Sequence, residues 1–194
     1  THGSIHILET AGFDRIIVET VGVGQSEVHV DSMVDLFLLL LPPAGGDELQ
    51  GIKKGVVELA DIIAITKADG QLLNSANHAR NEYKNALTLL RPKSDFWAPK
   101  TITCSTLTPG GLDVLLETID EFAKSALESR GMQSKRETQA VDWMWKLIEE
   151  DLVMRVKSNK NVRGKLPKIV DALKAGEILA EDATDEILQT FLGE

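Results

Sequence analysis

The sequence predicts an α/β protein: a doubly wound, mainly parallel sheet followed by an all-helical extension. Three observations predict it. Short apolar runs of strand length (16–18, 36–41, 62–65 and the stretch around Ile102) alternate with stretches of helix length as far as residue 130. The runs at 36–41 and 62–65 are continuously apolar, as strands buried on both faces must be. From Ser134 onward no strand pattern remains.

In chain order, residues 4–11 predict a short helix, with Ser4 as N-cap and Gly12 just past its end. Residues 14–19 predict the first strand and 34–41 the second, which Pro42-Pro43 ends by removing two backbone donors. A helix over 52–60 and a third strand over 62–66 follow. Residues 74–90 carry Ala79, Tyr83, Ala86, Leu87 and Leu90 at helical spacing, and Pro92 stops that helix. A fourth strand spans 101–104, and a helix over 112–129 covers it. Composition shifts at Arg130-Gly131, which divides the chain into residues 1–130 and 131–194. In the second part, 136–156 predicts one long helix with Val141, Met144, Trp145, Ile148 and Leu152 on one face and Trp143 and Leu147 on another. Apolar on more than one side, that helix is either a cap on the core or an interface between copies. Residues 162–166, 167–175 and 180–192 complete the helical tail.

Bulk composition narrows the function. The chain has 194 residues, 43% of them hydrophobic, which is ample for a core. A net charge of −9 lacks the basic footprint of a nonspecific nucleic-acid or membrane-surface binder. One cysteine excludes an internal disulfide framework and fits a reducing compartment. The longest apolar run, 36–41, is far too short to span a bilayer. His2 and His6, four residues apart, are too few ligands for a metal site.

The chemistry gathers in the loops that follow the strands, where a doubly wound sheet holds its ligands. Glu19-Thr20-Val21-Gly22-Val23-Gly24-Gln25-Ser26-Glu27 follows the first strand. A dinucleotide fingerprint would need a small residue where Glu27 stands, so that reading fails. The alternatives are an ordinary turn and the acidic-x-x-Gly element of P-loop nucleotide hydrolases. In the latter the carboxylate lies near a magnesium ion and the glycine N–H meets the terminal phosphate. Thr66-Lys67-Ala68-Asp69 follows the strand at 62–65. One carboxylate can accept both N1–H and the 2-amino group of guanine, whereas adenine leaves the same Asp poorly paired. The Lys67 stem can lie over a flat base while its ammonium stays hydrated. Cys104-Ser105-Thr106 resembles a third loop that contacts the guanine O6, with Thr106 in the place usually taken by Ala. Between them, residues 45–53 combine three glycines with Asp47, Glu48, Gln50 and Lys53. That stretch reads equally as a surface loop and as part of a phosphate site.

The strings ETVGVGQSE, DLFLLLLPPAGGDELQGIKKG and ITKADG resemble the methylmalonyl-CoA mutase-associated GTPases, the bacterial MeaB/ArgK and mitochondrial methylmalonic aciduria type A proteins. The likeness extends through the WMW helix. It implies a P-loop GTPase core, here truncated at the N-terminus, with a C-terminal dimerisation extension over 131–194. It implies GTP/GDP and Mg2+ as ligands, a homodimer, and a chaperone role in loading adenosylcobalamin into methylmalonyl-CoA mutase and protecting it. The location would be a bacterial cytoplasm or a mitochondrial matrix. By position, Glu19 and Gly22 become the magnesium and γ-phosphate pair. Lys67 and Asp69 read guanine with help from Thr66, Ser105 and Thr106. Residues 45–53 become an additional switch loop with Asp47, Gln50 and Lys53 as its polar candidates.

Two departures qualify this. No G-x-x-x-x-G-K-[ST] occurs in these residues, so this chain by itself is expected to bind GTP poorly and hydrolyse it hardly at all, as a fragment would. Val23 follows Gly22 where many GTPases place a water-orienting Gln, so intrinsic hydrolysis is expected to be slow. A non-catalytic dimeric docking module is the competing reading, and a transport-associated kinase the older family label.

Overall fold

A computed structural model describes residues 2–20, 30–43 and 54–193 of the chain. They fold as two compact units, Thr1–Gln139 and Ala140–Glu194. In order along the chain come α1 (His2–Thr10), β1 (Leu38–Leu41), α2 (Lys54–Leu59) and β2 (Ile62–Ile65). A 3-10 turn (Gly70–Leu72), α3 (Leu73–Thr88), β3 (Lys100–Thr103) and α4 (Asp113–Glu128) follow. The chain ends in α5 (Gly131–Ser158), α6 (Lys160–Ala175) and α7 (Ala180–Leu192).

The described sheet is parallel, with β2 between β1 and β3. Leu38 pairs with Ile62 and Ile62 with Lys100, so all three strands start level and deliver their carboxyl ends to one edge. Strand side chains alternate between faces, and both faces of β2 are covered. Ile63 and Ile65 pack with Val56 and Val57 of α2 and with Ala76, Ala79 and Tyr83 of α3. Ile62 and Ala64 pack on the other face with Trp97, Ile102, Cys104 and with Phe122 and Ala126 of α4. The Trp97 and Phe122 rings meet edge to face, centroids 5.3 Å apart. Ala60, Ala64, Ala76, Ala79 and Ala126 are wholly buried, and the missing side-chain bulk lets helices lie close on the sheet. The doubly wound parallel sheet is therefore present.

Several elements differ from expectation. Residues 14–19 form no strand, and Ile17 is 92% exposed while Ile16 and Val18 are half-buried. A strand exists only where a neighbour supplies a ladder, and no described strand pairs with this segment. β1 is half its expected length because Asp61 N–H already bonds to Phe37 O, at 2.9 Å, where β2 begins. Residues 30–31 are instead helical, and 32–36 form a turn and bend at the amino edge of the sheet. Helix α1 begins at His2, two residues before the expected cap at Ser4, and closes with Gly12 at φ 88°.

α5 starts where Gly131 lies against Phe96; a methyl there would sit 2.2 Å from the ring. In the second unit, α6 and α7 pack together through Val162, Ile169 and Ala183. Pro167 lies inside α6 rather than between two helices. Asn159 caps that helix through its side chain, accepting from Asn161 and Val162 N–H, so the helix survives the one bond Pro167 cannot donate. Val141, Met144, Trp145, Leu147, Ile148 and Leu152 of α5 are exposed. No helix among the described residues is long and apolar enough to cross a membrane.

Candidate functional site

Parallel strands that start level end level, so the loops after β2 and β3 are neighbours. β2 leads into 66–69 and β3 into 104–111. Thr66 N–H bonds to Leu41 O at 2.7 Å and its hydroxyl donates to the same oxygen at 3.1 Å, pinning the loop to the end of β1. Cys104 N–H bonds to Ile65 O at 2.8 Å and Ala68 N–H to Cys104 O at 3.1 Å, which ties the two loops together. Lys67 takes a left-handed backbone conformation, φ 54°, and Gly70 another at 49°. These two reversals turn the chain tightly enough that Asp69 faces the second loop.

Asp69 stands at the N-cap position of the 3-10 turn, yet its side chain makes no cap bond there. The carboxylate instead accepts from the Ser105 hydroxyl through Oδ2. Ser105 Oγ in turn accepts from Leu107 N–H at 3.0 Å, and Ser105 N–H donates to Gly111 O at 3.0 Å. Ser105 is 3% exposed and Asp69 half-buried, so the hydroxyl is fixed from behind and the carboxylate faces outward. An ionised carboxylate has about four acceptor sites, so capacity remains for two N–H donors on one edge of a base. That donor set fits guanine. Lys67 and Thr106 are exposed beside it.

The second loop depends on Gly111. A Cβ there would lie 2.2 Å from Ser105 O and 2.4 Å from Thr108 Oγ1, and the first of these is backbone. Gly110 adds φ 69°. Gly111, Thr108 and Leu107 support Ser105, and sequence reasoning passed over them. The Thr108-Pro109-Gly110-Gly111 turn signal could have found them. Cys104 lies under the loop, and burial pushes its thiol up from the usual range, which keeps it inert.

The remaining candidates stand apart. Glu19 is exposed near the end of the irregular segment 14–20, with no described hydrogen bond. Gly22, Asp47, Gln50 and Lys53 lie outside the described residues. Among the described residues no group of three or more His, Cys, Asp or Glu side chains is assembled. One carboxylate such as Glu19, beside phosphate and water oxygens, suits a Mg2+ ion that accompanies a nucleotide.

The amino edge of the sheet carries a buried acid with charged neighbours. Asp61, at the start of β2, is 5% exposed. Its Oδ2 accepts Phe37 N–H at 2.8 Å and its Oδ1 lies 3.8 Å from Lys93 Nζ. Lys93 also donates to Asp31 Oδ1 at 2.7 Å and to Leu59 O at 2.5 Å. Burial raises the Asp61 carboxyl above its ordinary value; the Phe37 N–H, Lys93 and Lys135 oppose that rise and Asp31 adds to it. Asp61 is buried, bonded to backbone on one oxygen and close to Lys93 on the other, so it is a structural tie.

Comparison with known proteins bears on these loops. A family model described as "Methylmalonyl Co-A mutase-associated GTPase MeaB" matches residues 1–161. A mouse protein named "Methylmalonic aciduria type A homolog, mitochondrial" is 44% identical over 98% of the chain and 46% of its own length. The Escherichia coli protein named "GTPase ArgK" is 44% identical over 80% of the chain and 47% of its own length. A crystal structure described as "LAO/AO transport system kinase" superposes with a TM-score of 0.77 at 35% identity, covering all of the chain and 62% of that protein. The chain spans about half the length of the curated relatives it matches.

Proposed function

The chain belongs to the methylmalonyl-CoA mutase-associated GTPase family, and from that premise we propose that it carries the base-reading half of a GTP hydrolase. Its nucleotide cycle would time a chaperone step on an adenosylcobalamin-dependent methylmalonyl-CoA mutase. The observation that supports this most is the meeting of Asp69 with Ser105 at the carboxyl ends of β2 and β3.

In this reading Asp69 accepts N1–H and the 2-amino group of guanine, held on line by the Ser105 hydroxyl. Lys67 lies along the base, and Thr66 fixes the loop to β1. Thr106 lies beside Ser105 in the loop that meets the O6 side of the base. GTP and GDP are the ligands. Glu19 and Gly22 face the γ-phosphate side, with Mg2+ neutralising charge on the phosphate oxygens when bound. Asp47, Gln50 and Lys53 belong to a loop that responds to the mutase. On partner docking, Lys53 or Gln50 moves towards the phosphates and stabilises charge that develops there.

Residues 1–130 form the carboxyl-terminal part of the GTPase domain and 131–194 a helical dimerisation extension. The exposed Trp145, Leu147, Ile148 and Leu152 of α5 support a partner surface there.

The test is nucleotide hydrolysis by the full-length parent protein, with and without methylmalonyl-CoA mutase, with ATP as control. Turnover restricted to GTP and raised by the mutase is the expected result. GTP turnover indifferent to the mutase removes this client and keeps the base-reading residues. ATP turnover in place of GTP overturns the assignment of Asp69 and favours the transport-linked kinase named for the solved relative.

A further inference from the structure

The second unit keeps its charges apart. Residues 152–170 hold six cations, Arg155, Lys157, Lys160, Arg163, Lys165 and Lys168, and no acid, in a chain whose net charge is −9. Residues 177–194 hold six acids and no lysine or arginine. Helices α6 and α7 pack together, yet among the described residues no cation of the first stretch pairs with an acid of the second.

The cations gather at the corner where α5 ends and α6 begins. Arg155 Nε donates to Asp151 Oδ2 at 2.6 Å, and Lys165 Nζ to the Thr190 hydroxyl at 3.1 Å. Lys157, Lys160, Arg163 and Lys168 are exposed and have no ion-pair partner among the described residues. In the first unit, by contrast, Arg15, Lys93, Lys100, Lys135 and Arg136 each face a carboxylate. Val162 and Ile169 form the buried side of α6, so Lys160 and Arg163, one turn apart, lie on its outer side. An open groove of about 470 Å3 runs along this corner, lined by Asp151, Met154, Arg155, Lys157, Ser158 and Arg163.

The extent and charge of this surface select its occupant. Lys160 and Lys168 stand about 12 Å apart along one helix, too far for a single phosphate group and matched by about four residues of extended chain. A nucleic acid or a membrane surface would reach past the corner onto the acidic remainder of the chain and be repelled. Lasting interfaces between copies are apolar and poor in charge at their core, so the exposed apolar side chains of α5 suit a second copy better than this corner does.

We propose that the α5–α6 corner is a docking surface for a short acidic segment of a partner protein, seated along the groove with Lys157, Lys160, Arg163 and Lys168 on its carboxylates. Met154 and the lysine stems give that segment an apolar floor. Exposed charges of this kind act mainly on encounter rate and choice of partner, so the contact is transient and weakened by salt. The proposal goes beyond the GTPase reading and does not depend on it.

The test uses the full-length parent protein and a fluorescein-labelled octaglutamate peptide, read by anisotropy at low and at physiological salt. The corner variants are Lys157→Glu/Arg163→Glu and the milder Lys157→Gln/Arg163→Gln. Lys84→Glu/Arg91→Glu is the control, because both residues are exposed in the first unit and their reversal changes net charge as much as the corner reversal does. We expect binding at low salt that the corner reversal weakens about tenfold or more, the glutamine pair by less, and the control by no more than about twofold. Tm should stay within about 3 °C of wild type in all three. No binding of the peptide by the wild type overturns the proposal. So does an equal loss in the corner and control variants, which marks the field of the whole molecule rather than a site. Tighter binding of an oligothymidylate of the same length overturns it in favour of phosphate backbones. Dissociation of the protein by the corner reversal, seen in sedimentation, overturns it in favour of a second copy.

Discussion

Asp61 and Asp69 stand at opposite ends of the same short strand, and their surroundings are opposite too. Asp61 is buried at the amino end, with Phe37 N–H on one oxygen and Lys93 near the other. Asp69 is half-buried at the carboxyl end, with the Ser105 hydroxyl as its described partner. A carboxylate that is buried, bonded to a backbone N–H and close to a lysine fixes the fold and lies out of a ligand's reach. A carboxylate held by a single hydroxyl keeps its direction and most of its acceptor capacity. The contrast separates an acid that builds the sheet from an acid that the sheet presents.

The sharpest way to break the contrast is Asp69→Ala. Removing the acceptor for two guanine donors is expected to lower the preference for GTP over ATP by about a thousandfold or more. Tm should fall only slightly, because the Ser105 hydroxyl is the one buried group described as bonding to this side chain. Competitive nucleotide binding by the full-length protein, alongside a melt, checks both halves. A collapse in Tm would make the two acids alike.

Asp61→Ala is the converse and comes next in size. It leaves Phe37 N–H without an acceptor and removes one of the carboxylates around Lys93. The expected loss is about 2–4 kcal/mol of stability by denaturant titration. Guanine affinity in the folded fraction should stay near wild type, since the loops at the other edge are untouched.

The smallest effect is in pH. Burial raises the Asp61 carboxyl above 3.8, its ordinary value, so the folded protein binds that proton more tightly than the unfolded chain. The stability this confers is present at low pH and lost as pH rises through the raised value. Compared with Asp61→Asn, the wild type should therefore gain ground on acidification towards 3.8 and show a constant difference above the raised value. The slope between them cannot exceed about 1.4 kcal/mol per pH unit for one group. Melts of both proteins across that range read it directly.

The same contrast explains what could be read from the chain. The meeting of the loops that carry Thr66, Lys67, Asp69 and Ser105 was legible because each loop follows a buried strand, and parallel strands bring their ends together without further information. Helix α7 spans Ala180–Leu192, the range its apolar spacing predicts. The tie around Asp61 was not legible. Its partners lie 24 residues upstream at Phe37 and beyond at Lys93 and Lys135, and no local pattern marks a long-range ion pair. Arg136 and Asp35, which pair across 101 residues, were hidden for the same reason. The segment 14–19 failed differently. Its apolar run satisfies a strand's composition, but a ladder is a property of two segments, and composition describes one. The candidates Gly22, Asp47, Gln50 and Lys53 lie outside the described residues, so their proposed roles rest on family resemblance.

Lys67 has one more consequence, for how this loop can change over generations. Its left-handed backbone, φ 54°, costs a non-glycine residue about 1 kcal/mol or more, and glycine nothing. A population screened only for heat resistance would drift towards glycine at this codon. A population screened for nucleotide use would be held at lysine, whose stem lies along the base in the proposed reading. Position 67 is thus a place where the two pressures leave different footprints, and the residue found there records which of them has prevailed.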